Sequence, residues 1–118
     1  MLVFVYGTLQ RGQRLHQHLA GQRFVGEART QPEYRLLRID WYPGLVAAES
    51  ASAGTSVCGE VWDVDDQTLK ILDTVEDVGS GLYERKPVRL LKPFDGEDVI
   101  AYFYLGNVEG CSDCGDRW

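Results

Sequence analysis

The octapeptide Leu69-Lys-Ile-Leu-Asp-Thr-Val-Glu76 puts a carboxylate where a helix of this pattern needs a hydrophobic side chain. At about 100° per residue, with Leu69 at the origin, Ile71 falls at about 200°, Val75 at about 240°, Leu72 at about 300° and Glu76 at about 340°. Glu76 therefore lies between two leucines on the arc that an amphipathic helix packs against a core. A buried carboxylate without a partner is costly, and it usually responds by raising its pKa. That makes Glu76 a candidate general base. The competing reading is a frayed last turn from which the side chain escapes to solvent. Asp73 and Asp77 fall on the solvent-leaning sides of the wheel and are not candidates for the base.

A second group of residues offers backbone chemistry. Tyr6-Gly7-Thr8-Leu9 is a strand end running into a glycine turn, which can leave consecutive N–H groups free to hold an anion or a developing oxyanion. An ordinary β-turn is the plainer alternative. In the oxyanion reading, the amides of Gly7, Thr8 and Leu9 hold a carboxylate or amide oxygen, Tyr6 and Tyr83 line the pocket, and Gly7 needs a positive φ. Cys111-Ser-Asp-Cys114 is half of a zinc site, but no second C-x-x-C completes the four ligands, so no metal is expected. Cys58 reads as a small core residue, and His16 and His18 as surface residues. There is no defensible Ser/His/Asp order, P-loop or dinucleotide fingerprint.

These groups need a scaffold, and the strand patterns supply one. Val3-Phe-Val-Tyr6 is apolar on both faces, which suits a strand inside a sheet or barrel. Arg11–Gly21 reads as a short helix pairing Leu15 with Leu19 and closing on glycine. Strands are expected at Arg23–Thr30, Tyr34–Ile39, Val57–Val64, Glu84–Leu91 and Val99–Leu105, with hairpin connections at Gln31–Glu33 and Lys92–Glu97. Asp65 or Asp66 caps the helix that carries Glu76, and Gly79-Ser80-Gly81 ends it. Asp40–Ser56 reads as a long loop whose Trp41, Tyr42 and Pro43 form a pocket wall; a barrel plug or a contact with a second subunit would use them equally well. The tail from Asn107 to Trp118 is read as frayed.

The chain has 118 residues, enough for one domain with a real core. Its 44% hydrophobic and 25% charged composition is that of a soluble globular protein. A net charge of −6 argues against nucleic acid and anionic membrane surfaces, leaving small molecules or proteins as partners. No apolar run approaches the ~20 residues of a membrane helix. Met1–Tyr6 lacks a basic n-region, so a cytoplasmic location is expected. Three cysteines are an odd number for a disulfide framework.

Four motifs in one order carry a resemblance: Val5-Tyr6-Gly7-Thr8-Leu9; Pro43-Gly44-Leu45-Val46; Gly59-Glu60-Val61-Trp62; and Leu72-Asp73-Thr74-Val75-Glu76 followed by Leu82-Tyr83-Glu84-Arg85. Together they resemble the γ-glutamylcyclotransferase-like, or AIG2-like, family from about Val3 to Leu105. The resemblance implies a small mixed β-barrel flanked by helices, which with the six strands and two helices read above gives an α+β, six-stranded barrel over residues 1–106; the segment 107–118, outside the resemblance, is expected to be a flexible tail. It implies that Glu76 is the general acid/base, with Tyr6, Gly7, Thr8, Leu9, Pro43, Gly44 and Tyr83 binding a small-molecule γ-glutamyl substrate. The implied reaction is attack of the substrate's free α-amine on its own side-chain amide, closing 5-oxoproline and expelling an amine, with no cofactor. γ-Glutamyl amino acids, γ-glutamyl-lysine isopeptides and γ-glutamylated small amines all fit as substrates, and a non-catalytic binding or interaction role is the alternative. A monomer or weak homodimer is expected.

Overall fold

Alternation along the first strand sets the layering of the whole molecule, which a computed structural model describes over residues 1–118. In β1 (Leu2–Val5) and the residue after it, Phe4 and Tyr6 enter one buried cluster while Val3 and Val5 enter another. Successive strand side chains point to opposite faces, so a strand apolar on both faces must lie between two cores. One core fills the inside of a curled sheet; the other lies between the sheet and the helix that carries the LDxxE sequence.

The remaining strands are β2 (Arg23–Arg29), β3 (Tyr34–Arg38), β4 (Pro43–Ala47), β5 (Cys58–Asp63), β6 (Tyr83–Pro87), β7 (Val99–Tyr104) and β8 (Ser112–Asp113), with one α-helix, α1 (Asp66–Val75). The sheet order is β2-β5-β1-β7-β4-β3-β8, with β6 on the other edge of β7. β1 runs antiparallel to β5 and parallel to β7, so the chain start is locked at the centre of the sheet. The backbone beyond β6 returns to the end of β2 through a Thr30–Leu90 bridge, with Gln31 N–H to Arg89 O at 2.8 Å and Leu91 N–H to Arg29 O at 2.8 Å. These bonds curl the sheet round on itself. No helix is long and apolar enough to cross a membrane.

The α+β class and the curled sheet agree with the sequence reading, but there are eight strands instead of six and one α-helix instead of two. β4 lies inside the stretch read as a loop, because its opening Pro43-Gly44 has breaker chemistry. Proline is tolerated at a strand's first residue, and Gly44 is set by crowding: a Cβ there would sit 2.7 Å from Tyr104 Cβ. The expected helix at Arg11–Gly21 is a loop with a single 3₁₀ turn at His16–Leu19. α1 stops at Val75, earlier than expected, and a separate 3₁₀ turn covers Val78–Ser80.

The reading of 107–118 as a flexible tail is also corrected. Ser112 and Asp113 pair with Arg38 and Leu37, and Cys114 N–H donates to Leu36 O at 2.8 Å. Asp113 accepts from Arg35 at 3.1 Å, Asp116 O accepts from Cys58 N–H at 2.6 Å, and the Arg38 guanidinium lies 4.6 Å over the Trp118 ring. Polar composition suggested fraying, yet the polar groups are spent on specific partners across β3 and β5.

Candidate active site

Asp65 begins the helix that delivers Glu76: its Oδ1 accepts from Thr68 N–H at 2.7 Å, satisfying an otherwise orphan donor. Leu69 and Leu72 are buried beneath the helix, whereas Ile71, on the edge of the predicted arc, is 45% exposed. Glu76 occupies the C-cap, with its N–H on Leu72 O at 2.9 Å, and the chain then leaves the helix through Asp77 in the left-handed region at φ 52°. The helix therefore ends at Glu76, yet the side chain is not released to bulk water.

The Glu76 carboxyl has no hydrogen-bond or ion-pair partner in the protein, and its oxygens are not sealed from solvent. Burial, and next the charge of Asp77, raise its pKa to about 7. It lines a narrow crevice together with Tyr6, Gly7, Thr8, Leu9, Tyr42, Pro43, Tyr83 and Tyr102, over Phe4 and Val5. Burial raises the phenols of Tyr6, Tyr42, Tyr83 and Tyr102, and in each case the Glu76 charge adds to the effect. No lysine or arginine lines this crevice.

The carbonyls of Gly7, Thr8 and Leu9 are taken up by the loop that follows them. Gly7 O accepts from Gln10 N–H at 3.1 Å, Thr8 O from Leu15 N–H at 2.8 Å, and Leu9 O contacts His16 Nδ1 at 3.0 Å. C=O of one residue and N–H of the next point in opposite directions across a trans peptide, so the Thr8 and Leu9 N–H groups are turned away from the partners of Gly7 O and Thr8 O. The N–H groups of Gly7, Thr8 and Leu9 donate to no protein acceptor. Three consecutive amides without a protein acceptor, in buried residues of the crevice lining, are donors open to an anion. The loop that takes up the carbonyls is pinned by Glu60, whose carboxylate accepts from Arg11 Nε at 2.8 Å, Arg11 N–H at 3.1 Å and Trp62 Nε1 at 3.1 Å. Burial pushes the Glu60 pKa up, but these donors outweigh it and hold it below the usual carboxylate range.

Gly7 corrects one expectation. It does not have a positive φ; glycine is required there because a Cβ would lie within 2.8 Å of Pro43 Cδ and closer still to Cγ. Pro43 is in turn fixed by Tyr83, whose hydroxyl donates to Pro43 O at 2.7 Å. The Tyr6 hydroxyl donates to Tyr102 O at 2.7 Å and accepts from Leu45 N–H at 3.2 Å. These hydroxyls are committed to structural bonds, so what Tyr6 and Tyr83 present to the crevice is their rings.

Of the residues read from the sequence, Glu76, Tyr6, Gly7, Thr8, Leu9, Pro43 and Tyr83 meet at this crevice, while Gly44 does not line it. Trp41 also lies outside it, 44% exposed, with the Arg14 guanidinium 4.7 Å from its ring. Tyr102 is the wall residue the sequence reading omitted. The alternation Ile100-Tyr102-Tyr104, opposite Val99-Ala101-Phe103, would have placed it on the helix-facing side of β7.

Comparison with known proteins supplies the family. The profile of the family described as "Gamma-glutamyl cyclotransferase, AIG2-like" matches residues 3–117. A Vibrio cholerae protein provisionally named a gamma-glutamylcyclotransferase is 38% identical over 115 residues, covering 98% of this chain and 93% of its own. The human gamma-glutamylaminecyclotransferase is 37% identical over 99 residues, covering 75% of this chain and 61% of its own. Among solved structures, an AIG2-like protein from Mus musculus superposes with a TM-score of 0.66 at 31% identity, over 89% of this chain and 76% of that one. Protein ytfP from Escherichia coli gives a TM-score of 0.74 at 28% identity, over 98% and 93%. With the family profile spanning nearly every residue, the chain belongs to the gamma-glutamyl cyclotransferase, AIG2-like family.

Proposed function

We propose that this crevice converts a γ-glutamyl amide to 5-oxoproline and a free amine, with Glu76 moving the protons. The substrate's neutral α-amine attacks its own side-chain amide carbon, forming the ring C–N bond and a tetrahedral oxyanion. Glu76 takes the proton released by the attacking nitrogen and delivers it to the departing nitrogen as the original amide C–N bond breaks. A single carboxyl suffices when its pKa is close to the working pH, since it must then both accept and donate. Because ring closure is intramolecular, the protein mainly has to hold a near-attack geometry. The free amides of Gly7, Thr8 and Leu9 are suited to the substrate's carboxylate or the developing oxyanion, which is the role a cation would otherwise fill in a crevice without lysine or arginine.

The observation that carries the reading is the unpartnered Glu76 carboxyl, raised to about 7, in the same crevice as three unpartnered backbone amides. The test is release of 5-oxoproline from a panel of γ-glutamyl amino acids, γ-glutamyl-lysine isopeptide and γ-glutamylated amines. The expected result is turnover of at least one member. Saturable binding of a panel member without 5-oxoproline would assign the crevice a binding role instead.

A further inference from the structure

The catalytic reading leaves a question of position, because Glu76 sits at the end of a helix, where fraying is easiest. One turn before it, Asp73 is half-buried and is not idle. Tyr102 Oη donates to its Oδ1 at 2.8 Å and Arg85 Nε pairs with the same oxygen at 2.8 Å. Arg85 and Tyr102 are direct cross-strand partners in the β6–β7 ladder. Two adjacent strands thus reach one carboxylate on the last turn of α1. The same strands supply Tyr83 and Tyr102 to the crevice, and Tyr102 O accepts from the Tyr6 hydroxyl at 2.7 Å.

We infer that Asp73, Arg85 and the Tyr102 hydroxyl form a clamp that fixes the C-terminal turn of α1 to the crevice wall, making Asp73 and Arg85 positioning residues for Glu76. The inference deepens the proposed reaction and rests on it for its consequence in turnover, but the geometry it asserts stands apart from activity. The alternatives are weaker. Helix propensity does not hold a terminal turn of a ten-residue helix, and the Glu76 side chain has no partner of its own to anchor it. After Glu76 the chain enters the left-handed Asp77, whose N–H closes on Thr74 O at 3.1 Å and whose O accepts from Leu82 N–H at 3.2 Å; these backbone bonds and the buried Leu72 hold the turn together and to the core, but none of them reaches the crevice-side strands β6 and β7 through a directional side-chain bond as Asp73 does. An ion pair sharing its acceptor with a tyrosine hydroxyl is directional, so it specifies orientation as well as attraction.

The test separates clamp from chemistry by following the Glu76 carboxyl itself. Its titration is read by carbon-13 NMR in wild type and in Asp73→Asn, Arg85→Lys, Arg85→Ala and Tyr102→Phe, with urea unfolding reporting fold. Besides Asp73 and Arg85, the charged and titratable groups around Glu76 are Asp77 and the phenols of Tyr6, Tyr42, Tyr83 and Tyr102. Loss of the Asp73 charge by itself lowers the Glu76 titration, whereas loss of the Arg85 cation by itself raises it, so a downward shift in Arg85→Ala is the result that only release of the turn explains, and an upward shift there would overturn the clamp. Release of the turn lets Glu76 reach water, so its titration moves toward that of an ordinary glutamate by about one pH unit or more in Asp73→Asn. Arg85→Lys, which keeps a cation near Asp73, moves it less, and Arg85→Ala more. In turnover, Asp73→Asn lowers kcat by about tenfold or more with KM changed less, and shifts the acid limb of the pH profile in the same direction. Folded Asp73→Asn and Tyr102→Phe variants with an unchanged Glu76 titration would overturn the clamp, whatever the activity. A wild type with the clamp-dependent titration but no 5-oxoproline release would instead overturn the proposed reaction and leave the clamp standing.

Discussion

At the residue scale, Glu76 sets burial against chemistry. Its pKa of about 7 lies above the ~4.3 of an unfolded glutamate, so the folded state binds the proton more tightly than the unfolded state does. Stability therefore falls as pH rises from about 4.5 through about 7, and the penalty is fully present above that window. Glu76→Gln removes the charge and keeps the shape. Discounting for access to solvent, the variant is expected to be more stable than wild type at pH 8 by about 1–3 kcal/mol, with the difference vanishing near pH 4. Urea denaturation at the two pH values checks this; equal stability at both would mean that Glu76 is hydrated like a surface residue. Gly7 makes the opposite case, a residue whose lack of a side chain is the requirement. Gly7→Val drives a branched side chain into Pro43 and is expected to cost about 2 kcal/mol or more and to abolish turnover. Thr8→Ala, which keeps the backbone amide, changes turnover less than about threefold.

At the element scale, the stretch following β3 divides the crevice wall from its rim. Tyr42 and Pro43 line the crevice while Trp41 stands outside it. Tyr42→Ala is therefore expected to change the ratio of kcat/KM among γ-glutamyl amides with different leaving amines, whereas Trp41→Ala leaves that ratio within about twofold. The opposite pattern would move the leaving group to the rim. How much of this was legible follows from local signal strength. The 3.6-residue spacing of Leu69, Leu72 and Glu76 and the Asp65 cap were sufficient to orient α1, and they located the candidate base. β4 was hidden because Pro43 and Gly44 argue locally for a turn, and only the packing of Gly44 against Tyr104 makes a strand of them. The Arg11–Gly21 segment had helical spacing in Leu15 and Leu19, but its backbone is taken up by Thr8 and by the Glu60 network. The reason for Gly7 was equally invisible, since it depends on a proline 36 positions away in the chain that contacts it only after folding. Tertiary contacts overrode local pattern in each of these places.

At the scale of the molecule, the sheet brings the first strand, β4, β6, β7 and the end of α1 to one crevice, and the final residues brace the far side of the same sheet. If β8 and its ion pairs hold β3 in place, removing residues 111–118 lowers the urea midpoint by an amount corresponding to about 2–4 kcal/mol, from lost apolar burial at Cys114 and Trp118 more than from exposed ion pairs. A frayed tail would leave the midpoint unchanged. The central claim, however, concerns proton transfer by one carboxyl, and its most direct test is the pH dependence of 5-oxoproline release by wild type and Glu76→Gln on the best γ-glutamyl amide. The account predicts a wild-type acid limb in kcat/KM near pH 7 and a loss of about 10² to 10⁴ in turnover, without that limb, in the folded glutamine variant. A Glu76→Gln protein that keeps wild-type turnover and the same acid limb would contradict it.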